Sequence, residues 1–207
     1  TLSSSSAASD VYKRQVIALR AMLAVVDNGG QAALLAPTEV LAGQHLRTIE
    51  KLMGPLAQGG MIGAPESSTR VTLLTGSQSA AERRDALALA ASGEAGIVIG
   101  THALLSASVE FNDLGLIVVD EQHRFGVEQR DALKGKAKIP PHLLVMTATP
   151  IPRTVAMTVF GDLDVSTLRE LPLGRAPITT HVVNTLEKPA FLAVSYTHLT
   201  LPTKRIV

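Results

Sequence analysis

The chain has 207 residues, enough for one α/β domain with a proper core and short for two. Apolar residues make up 46% but aromatics only 3%, which leaves Ala, Leu, Val and Ile to build the core and favours parallel strands covered by helices. A formal net charge of +1 excludes general adhesion to nucleic acid or acidic membranes, and the lack of cysteine excludes disulfides, thiolate zinc sites and a catalytic thiol.

The opening TLSSSSAASDVYKRQ (1–15) is serine-rich without an apolar period and is expected to be a non-native or disordered tail. Val16 to Val26, VIALRAMLAVV, comes after Lys13 and Arg14 in the manner of a signal peptide. Arg20 at its centre, the lack of an initiating Met and the lack of a small-residue cleavage site argue against one. At that length it cannot span a bilayer, so no membrane partner is expected and cytoplasm is the default.

From there, short apolar runs alternate with helical spacing. AALLAPT (32–38) precedes a helix over Glu39 to Met53 that Thr38 can cap. The Gly, Pro and Ser-rich stretch 54–69 reads as a loop. VTLLTGS (71–77) precedes a helix over Ala80 to Ala91, which Ser79 and Glu82 open as a capping box. GIVIGTH (96–102), LGLIVVDE (114–121) and HLLVMTATP (142–150) come next, and Pro152 suits the first turn of a helix over Ile151 to Phe160. Strands alternating with helices mean βαβ units, a parallel sheet and ligands beyond the carboxyl ends of its strands. PLGRAP (172–177) reads as a linker with a boundary near residue 175. The expected organisation is a lobe over 16–175, a linker and the start of another unit over 176–193, and a second non-native or disordered tail over 194–207. Both tails have the look of translated cloning or adaptor sequence, a natural flexible arm being the alternative.

Two adjacent acids at the mouth of a buried strand, Asp120 and Glu121, repel each other and call for a cation opposite. Such a pair suits Mg²⁺ beside a nucleotide: Asp120 would hold the ion through its hydration shell and Glu121 would orient the attacking water. A pair of solvated acids in a loop is the plainer alternative. Thr147, Ala148 and Thr149 end another buried strand, where small hydroxyl residues could link a metal site to bound nucleic acid. A simple cap before Pro150 is equally open. Pro37-Thr38, Thr75-Gly76-Ser77 and Gly100-Thr101-His102 each lie where a strand turns towards a helix. Exposed N–H groups and short hydroxyls there bind phosphates without reading bases, and three such turns on one edge could track a single-stranded backbone. Singly, each is ordinary capping. Only His102 and His123 among the six histidines are placed on that edge, and a zinc site is not expected. Arg83, Arg84 and Asp85 read as a solvated helix face, and Lys134, Lys136 and Lys138 as a polar loop.

The order LLAPTEVLAGQH (34–45), LLTGS (73–77), IVIGTHALL (97–105), LIVVDEQHRFGVEQR (116–130), LLVMTATPIPRTVAMTVFGDLD (143–164) and LRELPLGR (168–175) resembles the first motor lobe of the RecG family of bacterial ATP-dependent DNA helicases. The resemblance covers Val16 to about Ala193. It implies a RecA-like P-loop NTPase sheet flanked by helices, ATP and Mg²⁺ as cofactors, and branched or forked DNA as partner. Stalled forks and recombination intermediates are the implied substrates. It also implies roles: Asp120 and Glu121 on Mg²⁺ and water; Gln122 and His123 relaying nucleotide state; Thr147, Ala148 and Thr149 coupling hydrolysis to movement; Pro37, Thr38, Thr75, Gly76, Thr101 and His102 along the DNA path.

The chain also departs from that pattern. A phosphate-cradling G-x-x-x-x-G-K-[ST] loop belongs just before Val16, where the chain has SDVYKRQ, and its only Gly-Lys pair, Gly135-Lys136, is succeeded by Ala137. The phosphate-loop strand, a central one, is expected to be missing, leaving apolar edges and poor solubility. The second motor lobe and a preceding DNA-wedge domain are expected to be absent too, so this chain alone should be ATPase-deficient. A non-hydrolysing DNA-binding or partner-binding module, or a chimeric fragment with no independent function, is the alternative.

Overall fold

The computed structural model describes residues 3–59, 63, 65, 68–120, 132–147 and 164–166, with side chains placed from Lys13 onward. The chain divides into two compact units, Thr1–Arg169 and Glu170–Val207, and every described residue belongs to the first.

The described elements alternate as expected: α1 (Ser3–Asp27), β1 (Gln31–Leu35), α2 (Glu39–Met53), β2 (Arg70–Leu74), α3 (Ala80–Ser92), β3 (Ala95–Gly100), β4 (Leu114–Asp120) and β5 (His142–Met146). The strands form one five-stranded sheet in the order β2-β3-β1-β4-β5, and every pairing is parallel. Parallel neighbours need a crossover, and α2 and α3 supply it from β1 to β2 and from β2 to β3. The chain then leaves β3, passes β1 and lays β4 on the far side. The connection leaving β1 runs one way along the sheet and that leaving its neighbour β4 runs the other, and the crevice between two such strand ends is where open α/β sheets bind ligands.

Among the described residues β1 is central, β2 and β5 are the edges, and the five strands are those of the apolar runs read from the sequence, with no phosphate-loop strand before β1. Each strand is paired with a neighbour present in the chain. The helix before β1 is longer than the apolar run Val16 to Val26: α1 begins at Ser3, within the stretch read from the sequence as a tail, and Ser3 to Asp27 contains neither Gly nor Pro to stop a helix. The expected helix over Ile151 to Phe160 and its Pro152 lie outside the described residues.

Side-chain alternation along the strands splits the core into two layers. Ala32 and Leu34 of β1, Ile97 and Ile99 of β3, and Leu116 and Val118 of β4 face α1 and α2, where Ala18, Met22, Ala42 and Ile49 meet them. Ala33, Leu35, Val98, Ile117 and Val119 face the opposite way, towards Ala86 and Ala90 of α3 and Leu104, Phe111 and Leu133. Burial on both faces explains why these runs are continuously apolar and not alternating.

The local punctuation is where the sequence places it. Thr38 caps α2 by accepting from Leu41 N–H at 3.3 Å. Ser79 and Glu82 form both halves of a capping box at α3, and Gly93 ends that helix in the left-handed conformation, φ +84°. Gly100 has a different reason to be glycine: a Cβ there would lie 2.3 Å from Leu74 O and 2.9 Å from Leu104 Cγ, so any other residue must push β2 away from β3.

At the amino end of the sheet one buried polar side chain holds three segments. Gln31, 1% exposed, donates from Nε2 to Ala90 O at 3.0 Å and Ala95 O at 2.7 Å. Its Oε1 accepts from Asn112 N–H at 2.7 Å and Asp113 N–H at 3.1 Å. The amide thereby satisfies backbone groups at the end of α3, the start of β3 and the approach to β4. Gln31→Leu keeps the volume and strands those groups, each costing about 1–3 kcal/mol when buried unmet. A loss of roughly 3 kcal/mol is expected, read as a fall in the urea midpoint with unchanged m-value; a shift within experimental error would remove this role.

Candidate functional site

The carboxyl ends of the parallel strands bring the sequence-nominated residues to one edge. Asp120 is the last residue of β4, in register with Met146 of β5, and is 6% exposed. Thr147 comes directly after β5, so it lies beside Asp120 at the same edge. Pro37 and Thr38 come after β1, Thr75 and Gly76 after β2, and Thr101 and His102 after β3. Glu121, Gln122, His123, Ala148 and Thr149 lie outside the described residues.

The partner of Asp120 is not one the sequence singled out. His45, on α2 and 1% exposed, donates from Nε2 to Asp120 Oδ2 at 2.9 Å. Its Nδ1 accepts from Gln15 Nε2 at 2.8 Å, which fixes the tautomer and makes a continuous donor chain from Gln15 through His45 to Asp120. Arg14 Nη1 lies 3.8 Å from the other carboxylate oxygen, Oδ1. Placing only His102 and His123 on the functional edge is therefore corrected: His45 belongs there as well. A signal was available, because Ala42, His45, Ile49 and Met53 are the buried residues of α2 and share one helical face. A histidine among core positions must find a partner.

These residues, as they stand, do not fit a Mg²⁺–nucleotide. One Asp120 oxygen is bonded to His45 and the other faces a fixed guanidinium charge where a divalent cation would approach. The segment before Val16 carries no glycine with which to wrap a phosphate. Among the described residues no cluster of three or more His, Cys, Asp or Glu could hold a metal ion.

On the other side of the sheet, the turn after β2 is built by side chains from two elements. Gln78 closes it, accepting from Thr75 N–H at 3.0 Å and donating to Leu73 O at 3.0 Å. Glu39, in the first turn of α2, reaches across, and its Oε1 accepts from Gly76 N–H at 2.9 Å and Ser77 N–H at 3.1 Å. The Ser77 hydroxyl also bonds this carboxylate and, with the two backbone bonds and the nearby His102, holds its pKa below the ordinary glutamate value against the opposing effect of burial. Thr101 N–H donates to Leu74 O at 3.4 Å, while its hydroxyl is buried with no hydrogen-bond partner among the described residues. Lys136 lies in a turn, as expected, but its side chain is engaged: its Nζ donates to Ser106 O at 2.7 Å and Val109 O at 2.9 Å, and desolvation lowers its pKa despite Glu110.

Among the described residues no helix is long and apolar enough to cross a membrane. The sequence matches the DEAD/DEAH box helicase family over residues 15–158. It is 64% identical over 181 residues to the ATP-dependent DNA helicase RecG of Mycobacterium bovis, covering 86% of this chain and 25% of that protein. With RecG of Streptococcus pneumoniae it shares 48% identity over 179 residues, covering 86% and 25% respectively. The chain thus spans about a quarter of the length of these curated relatives. The solved structure of RecG bound to a three-way DNA junction superposes with a TM-score of 0.67 at 33% identity, covering 86% of this chain and 22% of that one.

The geometry sets two expected outcomes. Replacing His45 by Leu removes the hydrogen bond to a buried carboxylate and is expected to cost about 2–3 kcal/mol of stability, measured by chemical denaturation at neutral pH. Glu39 has a folded pKa below its unfolded one, so its contribution is fully present above the unfolded value and is lost as pH falls through the folded value. Glu39→Gln should therefore flatten the acid limb of the stability curve below the usual carboxylate range; an unchanged acid limb would show that the carboxylate is not held in this way.

Proposed function

The chain belongs to the DEAD/DEAH box helicase family, and from that premise we propose that it is first-motor-lobe sequence of a RecG-type helicase. The parent couples ATP hydrolysis to remodelling of branched DNA, including stalled forks and recombination intermediates, in DNA repair and recombination. The observation that carries this reading is the shared edge: Asp120, Thr147 and the turns Pro37-Thr38, Thr75-Gly76 and Thr101-His102 all lie at or just beyond the carboxyl ends of parallel strands. One border of the sheet thereby gathers a buried acid together with hydroxyls and N–H groups of the kind that suit a phosphate backbone.

Within the parent, ATP and Mg²⁺ are the implied cofactors; there Asp120 would hold the metal and Glu121 would orient water. Gln122 and His123 relay nucleotide state, and Thr147, Ala148 and Thr149 couple it to movement along DNA. In this chain the acid is tied to His45 and faces Arg14, and the glycine-rich loop is lacking, which favours a second reading of the chain itself: a non-hydrolysing binder of a nucleic-acid backbone.

Two measurements test the pair of readings. Phosphate release from ATP by the chain, with and without forked DNA, is expected to stay at background. Anisotropy of labelled single-stranded and forked oligonucleotides is expected to show binding at low salt that weakens as salt rises, with a slope of about 0.7 per phosphate contacted on single strands. Nucleotide turnover well above background would overturn the non-hydrolysing reading, and no binding at low salt would remove DNA contact from the chain.

A further inference from the structure

We propose that the Gly76-Ser77 turn is an anion cradle that the chain keeps plugged with its own Glu39 carboxylate, and that a phosphate-bearing ligand enters only by displacing that side chain. The inference rests on the backbone-binding reading of the chain and deepens it, by naming the residue that controls access to one of its phosphate positions.

The geometry has three parts. Consecutive N–H groups of Gly76 and Ser77 converge on a single oxygen, Glu39 Oε1, at 2.9 and 3.1 Å. A carboxylate oxygen and a phosphate oxygen are equivalent acceptors for such a pair, each carrying full or partial negative charge. Second, the cradle is open to solvent, since its N–H bonds to Glu39 lie on the exposed surface. Gly76 lets the acceptor approach, for a Cβ there would come within 3.2 Å of Glu39 Oε1. Third, unspent polar capacity lies on the adjoining strand end. The buried Thr101 hydroxyl has no hydrogen-bond partner among the described residues, and its backbone N–H is bonded to Leu74 O, one residue before the turn begins.

Glu39 is not a casual occupant. It sits in the first turn of α2, whose start is fixed by the Thr38 cap, so the carboxylate is delivered to the neighbouring turn by a rigid element. Its negative charge both fills the site and repels an incoming phosphate. Gln78 holds the turn in shape independently of Glu39, so emptying the cradle need not collapse it.

The test uses the full chain and inorganic phosphate as probe, at constant ionic strength, with the backbone amide resonances of Gly76 and Ser77 as the readout. The unaltered chain should show little response, Glu39→Ala a saturable shift confined to the turn, and Glu39→Gln, which keeps an acceptor but loses the charge, an intermediate one. Glu39 is on the surface of its helix turn, and unchanged resonances elsewhere will report that both variants fold. Equal responses in all three proteins, or none in Glu39→Ala, would overturn the proposal. The same proteins are then titrated with labelled oligothymidylate. Glu39→Ala should bind about three- to ten-fold tighter, and its salt slope should steepen by about 0.7, one added phosphate contact. A phosphate response in Glu39→Ala without any oligonucleotide binding would support the cradle while removing the nucleic-acid reading on which its biological ligand depends.

Discussion

Parallel pairing is the constraint on which the rest of this molecule depends. Parallel strands cannot be joined by tight turns, so each needs a crossover that returns the chain to the amino edge. Every strand then ends on the same border, and the residues just beyond those ends are gathered there whatever their separation in sequence. Thr38, Thr75, Thr101, Asp120 and Thr147 come from five different strand ends and share one edge for that reason. The opposite border carries the structural counterpart, where Gln31 satisfies backbone groups from three segments.

The edge is populated by groups that meet each other's needs. Asp120 is bonded to His45, which is bonded to Gln15, and the second carboxylate oxygen faces Arg14. Glu39 fills the convergent N–H pair of Gly76 and Ser77. In both cases α2 provides the partner: His45 from its buried face and Glu39 from its first turn. That helix therefore links the acid at the end of β4 to the backbone cradle after β2. Its position is set by apolar packing of Ala42, Ile49 and Met53 against the sheet.

Buried polar groups make such arrangements consequential. In a dry, low-dielectric setting a satisfied pair is held firmly and an orphaned one is costly. The His45–Asp120 bond is of this kind, whereas the Glu39 cradle is exposed and open to exchange with solvent ions, so the first acts on stability and the second on ligand access. The guanidinium beside Asp120 has a different effect: it places a positive charge 3.8 Å from the second carboxylate oxygen, which opposes a divalent cation at that oxygen.

Alternating strands and helices, the caps at Thr38 and Ser79, the strand ends that carry hydroxyls and acids, and the membership of a helicase family were all legible in the sequence. Most of these depend on residues a few positions apart: a period of 3.6, an apolar run, a Ser with Glu three residues later. The partners of Asp120, Glu39 and Gln31 were not legible. His45 lies 75 residues from Asp120, Glu39 lies 37 from Gly76, and Gln31 lies 64 from Ala95. Local pattern announces that a buried His or Gln needs a partner, but only the crossovers decide which strand end is brought within hydrogen-bonding reach of it, because hydrogen bonding is short-ranged and chain order does not fix proximity.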